Sequence, residues 1–193
     1  IPTNEKGLVV SYTEDNTIHI WKQIPGHCIQ SIETYGPNVS KISISNDGRY
    51  LALASDDCTI RLWKVDTGQC VSTLLGHTDI VTSLLFSPNG ETIISASCDK
   101  AIRIWDIKTG HCLHILKGHK KIRAISISSD GKYIVTTSYD YYNTLCVWDV
   151  ELGRCINELV KGFGSTTCAI FSIGNNHIFS SHNNTINMWD AKS

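Results

Sequence analysis

Three side chains in the middle of this chain carry the groups of a hydrolytic enzyme: His77, Ser97 and Asp99, with Trp105 close behind. In a Ser-His-Asp triad the imidazole takes the hydroxyl proton while the acid orients the imidazole. The same set returns further on as His119, Ser138, Asp140 and Trp148, and in part earlier as Ser55, Asp57 and Trp63, and as Thr13, Asp15 and Trp21. An enzyme has no evident need for its nucleophile in every unit of a repeat. Neither Ser97 nor Ser138 sits in a G-x-S-x-G elbow, the strained turn that exposes a catalytic hydroxyl. The expectation is that the polar quartets are structural, satisfying buried polar groups and holding a turn.

The elements that must position them are visible in residues 76–106, GHTDIVTSLLFSPNGETIISASCDKAIRIWD. Apolar runs broken at Ser87-Pro88-Asn89-Gly90 and at Ser97-Cys98-Asp99-Lys100 read as three short strands joined by two turns. The five tryptophans, Trp21, Trp63, Trp105, Trp148 and Trp189, are spaced 42, 42, 43 and 41 residues apart. Each closes a similar frame: TEDNTIHIW, SDDCTIRLW, SCDKAIRIW, SYDYYNTLCVW and SHNNTINMW. A fixed period of that length marks a repeat architecture, in which each unit buries its faces against its neighbours.

At these residues the chain resembles the WD-repeat family. Gly76-His77 and Gly118-His119 match its Gly-His pairs, and Trp-Asp stands at 105–106, 148–149 and 189–190, while Trp21-Lys22 and Trp63-Lys64 keep only the tryptophan. The resemblance covers essentially all 193 residues. It implies an all-β, WD40-type β-propeller, an open or partial ring of about 4–5 four-stranded blades. One domain over residues 1–193 is expected, with partial blades at 7–33 and 166–193 and complete ones at 39–75, 81–116 and 122–159, or 18 strands. The family also implies that His77, Ser97, Asp99 and Trp105 form a buried network tying the loop before the inner strand to the turn after the second. Because such rings commonly use about seven blades, the chain reads as an excerpt of a longer array or as a partner of another chain. A compact ring in which the two partial blades combine is the alternative.

Composition narrows the function. With 17 basic and 18 acidic residues the net charge is −1, which favours neither nucleic acid nor an anionic membrane. A 41% hydrophobic fraction suits a folded core. No apolar stretch approaches the roughly 18 residues of a membrane span, and the first residues, Ile1 to Lys6, carry no apolar segment of a secretory signal. There is no Walker loop, H-E-x-x-H or nucleotide-binding glycine fingerprint. His177 and His182 lack a third ligand, so neither a metal nor a cofactor is expected. Cys28, Cys70, Cys112 and Cys155 occupy one equivalent place in successive units, and no C-x-x-C pair occurs. That pattern predicts free, mostly buried thiols in a reducing compartment, the cytoplasm or the nucleus.

By the resemblance, such propellers are mostly non-catalytic platforms whose narrower face docks peptides. On this chain that face would hold Glu14, Asp56, Cys98, Tyr139 and His182, with Asp79, Lys120 and Lys121 nearby and Tyr141 and Tyr142 on a lengthened loop. The expected function is a scaffold for protein or peptide partners, as the repeat portion of a larger multidomain protein. The alternatives are an enzyme using the channel and a nucleic-acid contact through the basic loop at 117–123, where Lys117, Lys120, Lys121 and Arg123 lie. Inner-strand segments VSKISIS, VTSLLFS and IRAISIS offer mainly serines, one Lys and one Arg, and so no convergent acid and base.

Overall fold

The computed structural model describes residues 7–24, 26–34, 38–117, 120–139, 144–159 and 166–191. Among them the regular structure is entirely β, in five antiparallel sheets. The first joins β1 (Leu8–Tyr12), β2 (Thr17–Lys22) and β3 (His27–Glu33), and the second β4 (Val39–Ile44), β5 (Tyr50–Ser55), β6 (Ile60–Lys64) and β7 (Gln69–Leu74). The third holds β8 (Val81–Phe86), β9 (Thr92–Ser97), β10 (Ala101–Asp106) and β11 (Cys112–Lys117). The fourth holds β12 (Ile122–Ile127), β13 (Tyr133–Ser138), β14 (Leu145–Asp149) and β15 (Arg154–Leu159), and the fifth β16 (Ala169–Phe171), β17 (His177–His182) and β18 (Thr185–Asp190). Of the residues singled out in the sequence, Gly118, His119, Asp140, Tyr141 and Tyr142 lie outside the described residues.

Burial explains why the repeat is needed. The second strands β5, β9 and β13 are buried at all but their first residue, because both faces are covered by neighbouring sheets. Four apolar clusters lie between consecutive sheets. Ile20 meets Leu51 at the first junction, Leu62 meets Trp105 at the second, Ile104 meets Trp148 at the third, and Val147 meets Ile178 at the fourth. The tryptophans of the second to fifth sheets therefore face the preceding sheet, and the aliphatic residues one and three places before the tryptophans of the first four sheets face the following one. Among the described residues no cluster joins the first sheet to the fifth, so the propeller is open.

Every tryptophan of the first four sheets sits at the same irregularity. Trp21 pairs with Cys28, Trp63 with Cys70, Trp105 with Cys112 and Trp148 with Cys155, each beside a register shift that accommodates the indole. In each case the thiol donates to the carbonyl two residues on, at 3.3–3.5 Å. These thiols do not lie in the core as expected. All eight cysteines are free, but only Cys146 is buried, while Cys28, Cys70 and Cys168 are exposed. Cys28 and Cys70 lie on outermost strands, which have no further strand to cover them.

Candidate functional site

The turn between the second and third strands is built by its aspartate. Cys58 and Lys100 adopt φ of 64° and 71°, a left-handed conformation that side chains other than Gly and Asn seldom take. The carboxylate one residue earlier holds the backbone in place: Asp57 accepts from Thr59 N at 3.1 Å and Asp99 from Ala101 N at 2.9 Å. In the third sheet Asp99 also accepts the backbone N–H of Thr78 at 3.1 Å and lies 2.7 Å from His77 Nδ1. One carboxylate thus ties the loop before β8 to the turn after β9. Gly76 fits the same crossing: its φ is 149°, and a Cβ there would stand 2.9 Å from Arg103 Nη1 and 3.4 Å from Trp105.

From His77 the chain of hydrogen bonds runs inward. His77 Nε2 is 2.8 Å from Ser95 Oγ, which accepts the indole N–H of Trp105 at 2.8 Å. Burial opposes charge on Asp99, yet the His77 contact and the Ala101 N–H hold its carboxyl below the usual range, so it is ionised at neutral pH. Burial likewise pushes the His77 imidazole below its ordinary value, against the pull of Asp99. A neutral ring beside an ionised acid directs Nδ1–H to Asp99 and leaves Nε2 to accept the Ser95 hydroxyl proton. Trp105, Ser95, His77 and Asp99 then form one ordered chain with each donor matched to an acceptor.

Ser95, His77 and Asp99 thereby have the connectivity of a hydrolytic triad, but Ser95 is fully buried and its hydroxyl is engaged on both sides. No substrate carbonyl can reach it. The serine differs from the one expected. Ser97 hydrogen-bonds elsewhere: it donates to the Asp79 carbonyl at 2.8 Å and accepts from Asp99 N at 3.0 Å. In the fourth sheet Trp148 donates to Thr136 at 3.0 Å, while Ser138 donates to the Thr144 carbonyl at 3.2 Å. The first and fifth sheets follow suit, with Trp21 to Ser11 at 2.9 Å and Trp189 to Ser180 at 2.8 Å. In the second sheet the equivalent place is taken by Leu53, Trp63 Nε1 is left without an acceptor, and Ser55 accepts from Arg61 instead, at 3.0 Å. His119 and Asp140 lie outside the described residues.

The hydroxyls that meet the indoles could have been found from strand alternation. Ser95 is in register with Arg103, two residues before Trp105, and so shares its face. Ser97, the last residue of β9, pairs with Val81 of β8 and lies beyond the register that β9 shares with β10.

The candidate partner-binding residues lie along the rim where inner strands begin. Asp56, Cys98 and Tyr139 are placed alike, their backbone N–H groups bonded to the carbonyls of Asn38, Ile80 and Lys121 at 3.0, 3.0 and 2.8 Å. Burial and the nearby Asp79 raise the Cys98 thiol above its usual value, while Lys121 opposes them, so Asp79, Cys98 and Lys121 share one neighbourhood. Glu14, Asp56, Lys120 and Lys121 are exposed, and Asp79 is half-buried. His182 departs from the expected placement. The turn of the fifth sheet is one residue shorter, pairing Ser180 with Asn187, so His182 is the last residue of β17 and its Nδ1 is 3.3 Å from Thr166 Oγ1. Between these loops opens a concavity of about 380 Å³ lined by Ser40, Lys41, Ile80, Arg123, Tyr139 and Thr167 among others. Tyr139 is 56% exposed, and the Arg123 guanidinium lies 5.3 Å from its ring centroid.

One group of possible metal ligands occurs among the described residues: the donor atoms of Cys146, Cys155 and Glu158 lie within 4.8 Å of one another. Their spacing fits no sequence motif, and strand pairing alone assembles them. Cys146 is sealed in the apolar cluster with Ile104 and Trp148, and Glu158 is exposed, so an ion would have to enter a packed junction. No helix among the described residues is long and apolar enough to cross a membrane.

Compared with known families, the chain matches the model described as WD domain, G-beta repeat, three times, over residues 26–64, 68–106 and 110–149. No curated protein matches it.

Proposed function

This chain belongs to the WD-repeat family, whose domains bind protein partners, and on that premise we propose that it is a non-catalytic scaffold whose loop rim docks a protein or peptide during complex assembly. The observation that carries this reading is the division of labour among its polar groups. Those able to do chemistry, His77, Ser95 and Asp99, are spent on one another inside the fold. The accessible ones, Lys41, Arg123 and Tyr139, surround an open concavity instead. An exposed aromatic flanked by a guanidinium is a common interface anchor.

The scaffold is proposed to work as the repeat portion of a larger protein in the cytoplasm or nucleus, where its eight free thiols stay reduced. Nucleic acid is not the proposed partner: the net charge of −1 provides no extended basic surface, and the described inner strands carry only Lys41 and Arg123 as titratable groups. The test is binding of the partner that co-purifies with the full-length protein. Tyr139→Ala with Lys120→Glu and Lys121→Glu is expected to abolish it, while exchange of the outer-strand Leu113 for Ser leaves it intact. Unchanged binding by the rim variant would remove this face from the proposal.

A further inference from the structure

The inner strands β4, β8 and β12 open with the same irregularity, and one of the three fills it differently. The ladder to the second strand slips between Val39 and Lys41, between Val81 and Ser83, and between Ile122 and Ala124, so Ser40, Thr82 and Arg123 are the bulged residues. Two of them turn their hydroxyls onto the backbone: Ser40 donates to the Ala54 carbonyl at 3.1 Å, and Thr82 to the Ile122 carbonyl at 2.8 Å. Arg123 stands in the equivalent place with a cation. Its guanidinium lies 5.3 Å from the Tyr139 ring centroid, a contact that orients the group and leaves its charge in place. Lys41, beside the bulge of β4, brings a second positive charge; it is exposed, and among the described residues its ammonium forms no ion pair. Both cations line the concavity of about 380 Å³, and among the described residues no acidic side chain lines it with them.

Resting on the docking reading above, we infer that the segment docked here is an acidic peptide, whose carboxylates meet Lys41 on one side and Arg123 on the other, with an apolar side chain between them on Ile80. Like charges facing one recess raise its positive potential, and a recess screens them less than an open surface does. The hydroxyl protons of Ser40 and Thr82 are spent on carbonyls, so the cations are the groups that meet an anion. Because β8 packs against both β4 and β12, the two charges are spaced for carboxylates carried along a chain and not for one small anion. Ile80 and Tyr139, 49% and 56% exposed, offer the apolar contact that a peptide side chain would cover. Asp56 and Asp79 stand outside this lining, with Asp79 Oδ1 taking the Ile80 N–H at 2.8 Å. Their repulsion directs the acidic end of the peptide toward the fourth sheet, where Lys120 and Lys121 precede β12.

The test uses the full-length protein and, as probe, a short fluorescein-labelled peptide rich in glutamate around one central leucine, followed by fluorescence anisotropy. The glutamate peptide is expected to bind with an affinity that falls as salt rises, while the same peptide with glutamine or lysine in place of glutamate does not bind. Lys41→Glu alters an exposed position and turns an attraction into a repulsion, so it is expected to weaken the glutamate peptide about tenfold. Lys41→Glu with Arg123→Glu is expected to abolish that binding and to take up the lysine peptide instead. Failure of the glutamate peptide to bind, equal binding of the glutamine peptide, or an affinity unchanged in Lys41→Glu overturns the inference. Displacement of the probe by inorganic phosphate at matched ionic strength overturns it too, since one phosphate would then be what the cations hold. The docking reading is judged separately, by the co-purifying partner: its loss in the Tyr139, Lys120 and Lys121 variant, with no preference for glutamate, leaves the rim standing and removes only the acidic peptide.

Discussion

Leu53 stands on the second sheet where Ser95 stands on the third, and the indole N–H of Trp63 is therefore buried without an acceptor while that of Trp105 has one at 2.8 Å. The two tryptophans share a frame and a fold position but not an energy. Trp105→Phe deletes a satisfied donor and strips Ser95 of a partner, whereas Trp63→Phe removes a group that folding leaves unpaired. Urea unfolding is expected to show Trp105→Phe costing about 1–3 kcal/mol more than Trp63→Phe. Equal costs would mean that Trp63 finds a partner in solution.

Ser95, not Ser97, is the link between indole and imidazole. Ser95→Ala is expected to destabilise the chain by about 1–3 kcal/mol, because Trp105 Nε1 and His77 Nε2 lose their partner together. The discriminating measurement is hydrogen exchange at the Trp105 indole: protection should fall in Ser95→Ala and persist in Ser97→Ala. The reverse pattern would make Ser97 the acceptor of the indole.

The chain of bonds also predicts how stability depends on pH. Burial depresses the folded-state value of His77, so the unfolded chain takes up its proton first, at about 6.5. The contribution of His77 is complete above that value and is lost as pH falls through the lower folded-state value. Asp99 acts in the same direction further down: its depressed carboxyl stabilises the fold above an unfolded value of about 3.9 and ceases to below its folded one. Unfolding free energy should therefore fall from pH 7.5 toward 5, and less steeply in His77→Gln. An identical slope in the variant would refute a neutral buried imidazole.

Thiol reactivity should follow strand position. Cys28, Cys70 and Cys168 are exposed and are expected to react rapidly with an aromatic disulfide, whereas Cys146 reacts only as the protein unfolds. Mass spectrometry of partly labelled protein would read the order, and early modification of Cys146 would show that the junction between the third and fourth sheets opens on its own.

Much of this was legible in advance because it is local. The tryptophan period, the Ser-Pro-Asn-Gly and Ser-Cys-Asp-Lys turns and the runs between them depend on neighbours in sequence, and they place β8, β9 and β10 to within a residue. So does the aspartate of the turn, whose acceptor role needs only the next few N–H groups. Ser97, named in the sequence, does join the loop before β8 to the turn through Asp79 and Asp99, while Ser95, the hydroxyl that meets the indole, was not named there although strand alternation offers the signal. The shortened turn that draws His182 into β17 was hidden because Asn183 and Asn184 resemble the longer turn of the other units.

By itself, then, the order of residues determined the repeat, the strand sequence and the turn chemistry of this protein, because periodicity and turn geometry are written within a few positions. Only the tertiary structure decided that Ser95 completes the chain from Trp105 to His77, that the outer-strand cysteines paired with tryptophans lie exposed or half-exposed instead of in the core, and that Ile186 and Met188 are exposed. Those outcomes depend on register shifts between strands and on which sheet lies against which. Such contacts join residues far apart along the chain, and no spacing along it records whether a matching face is there to meet them.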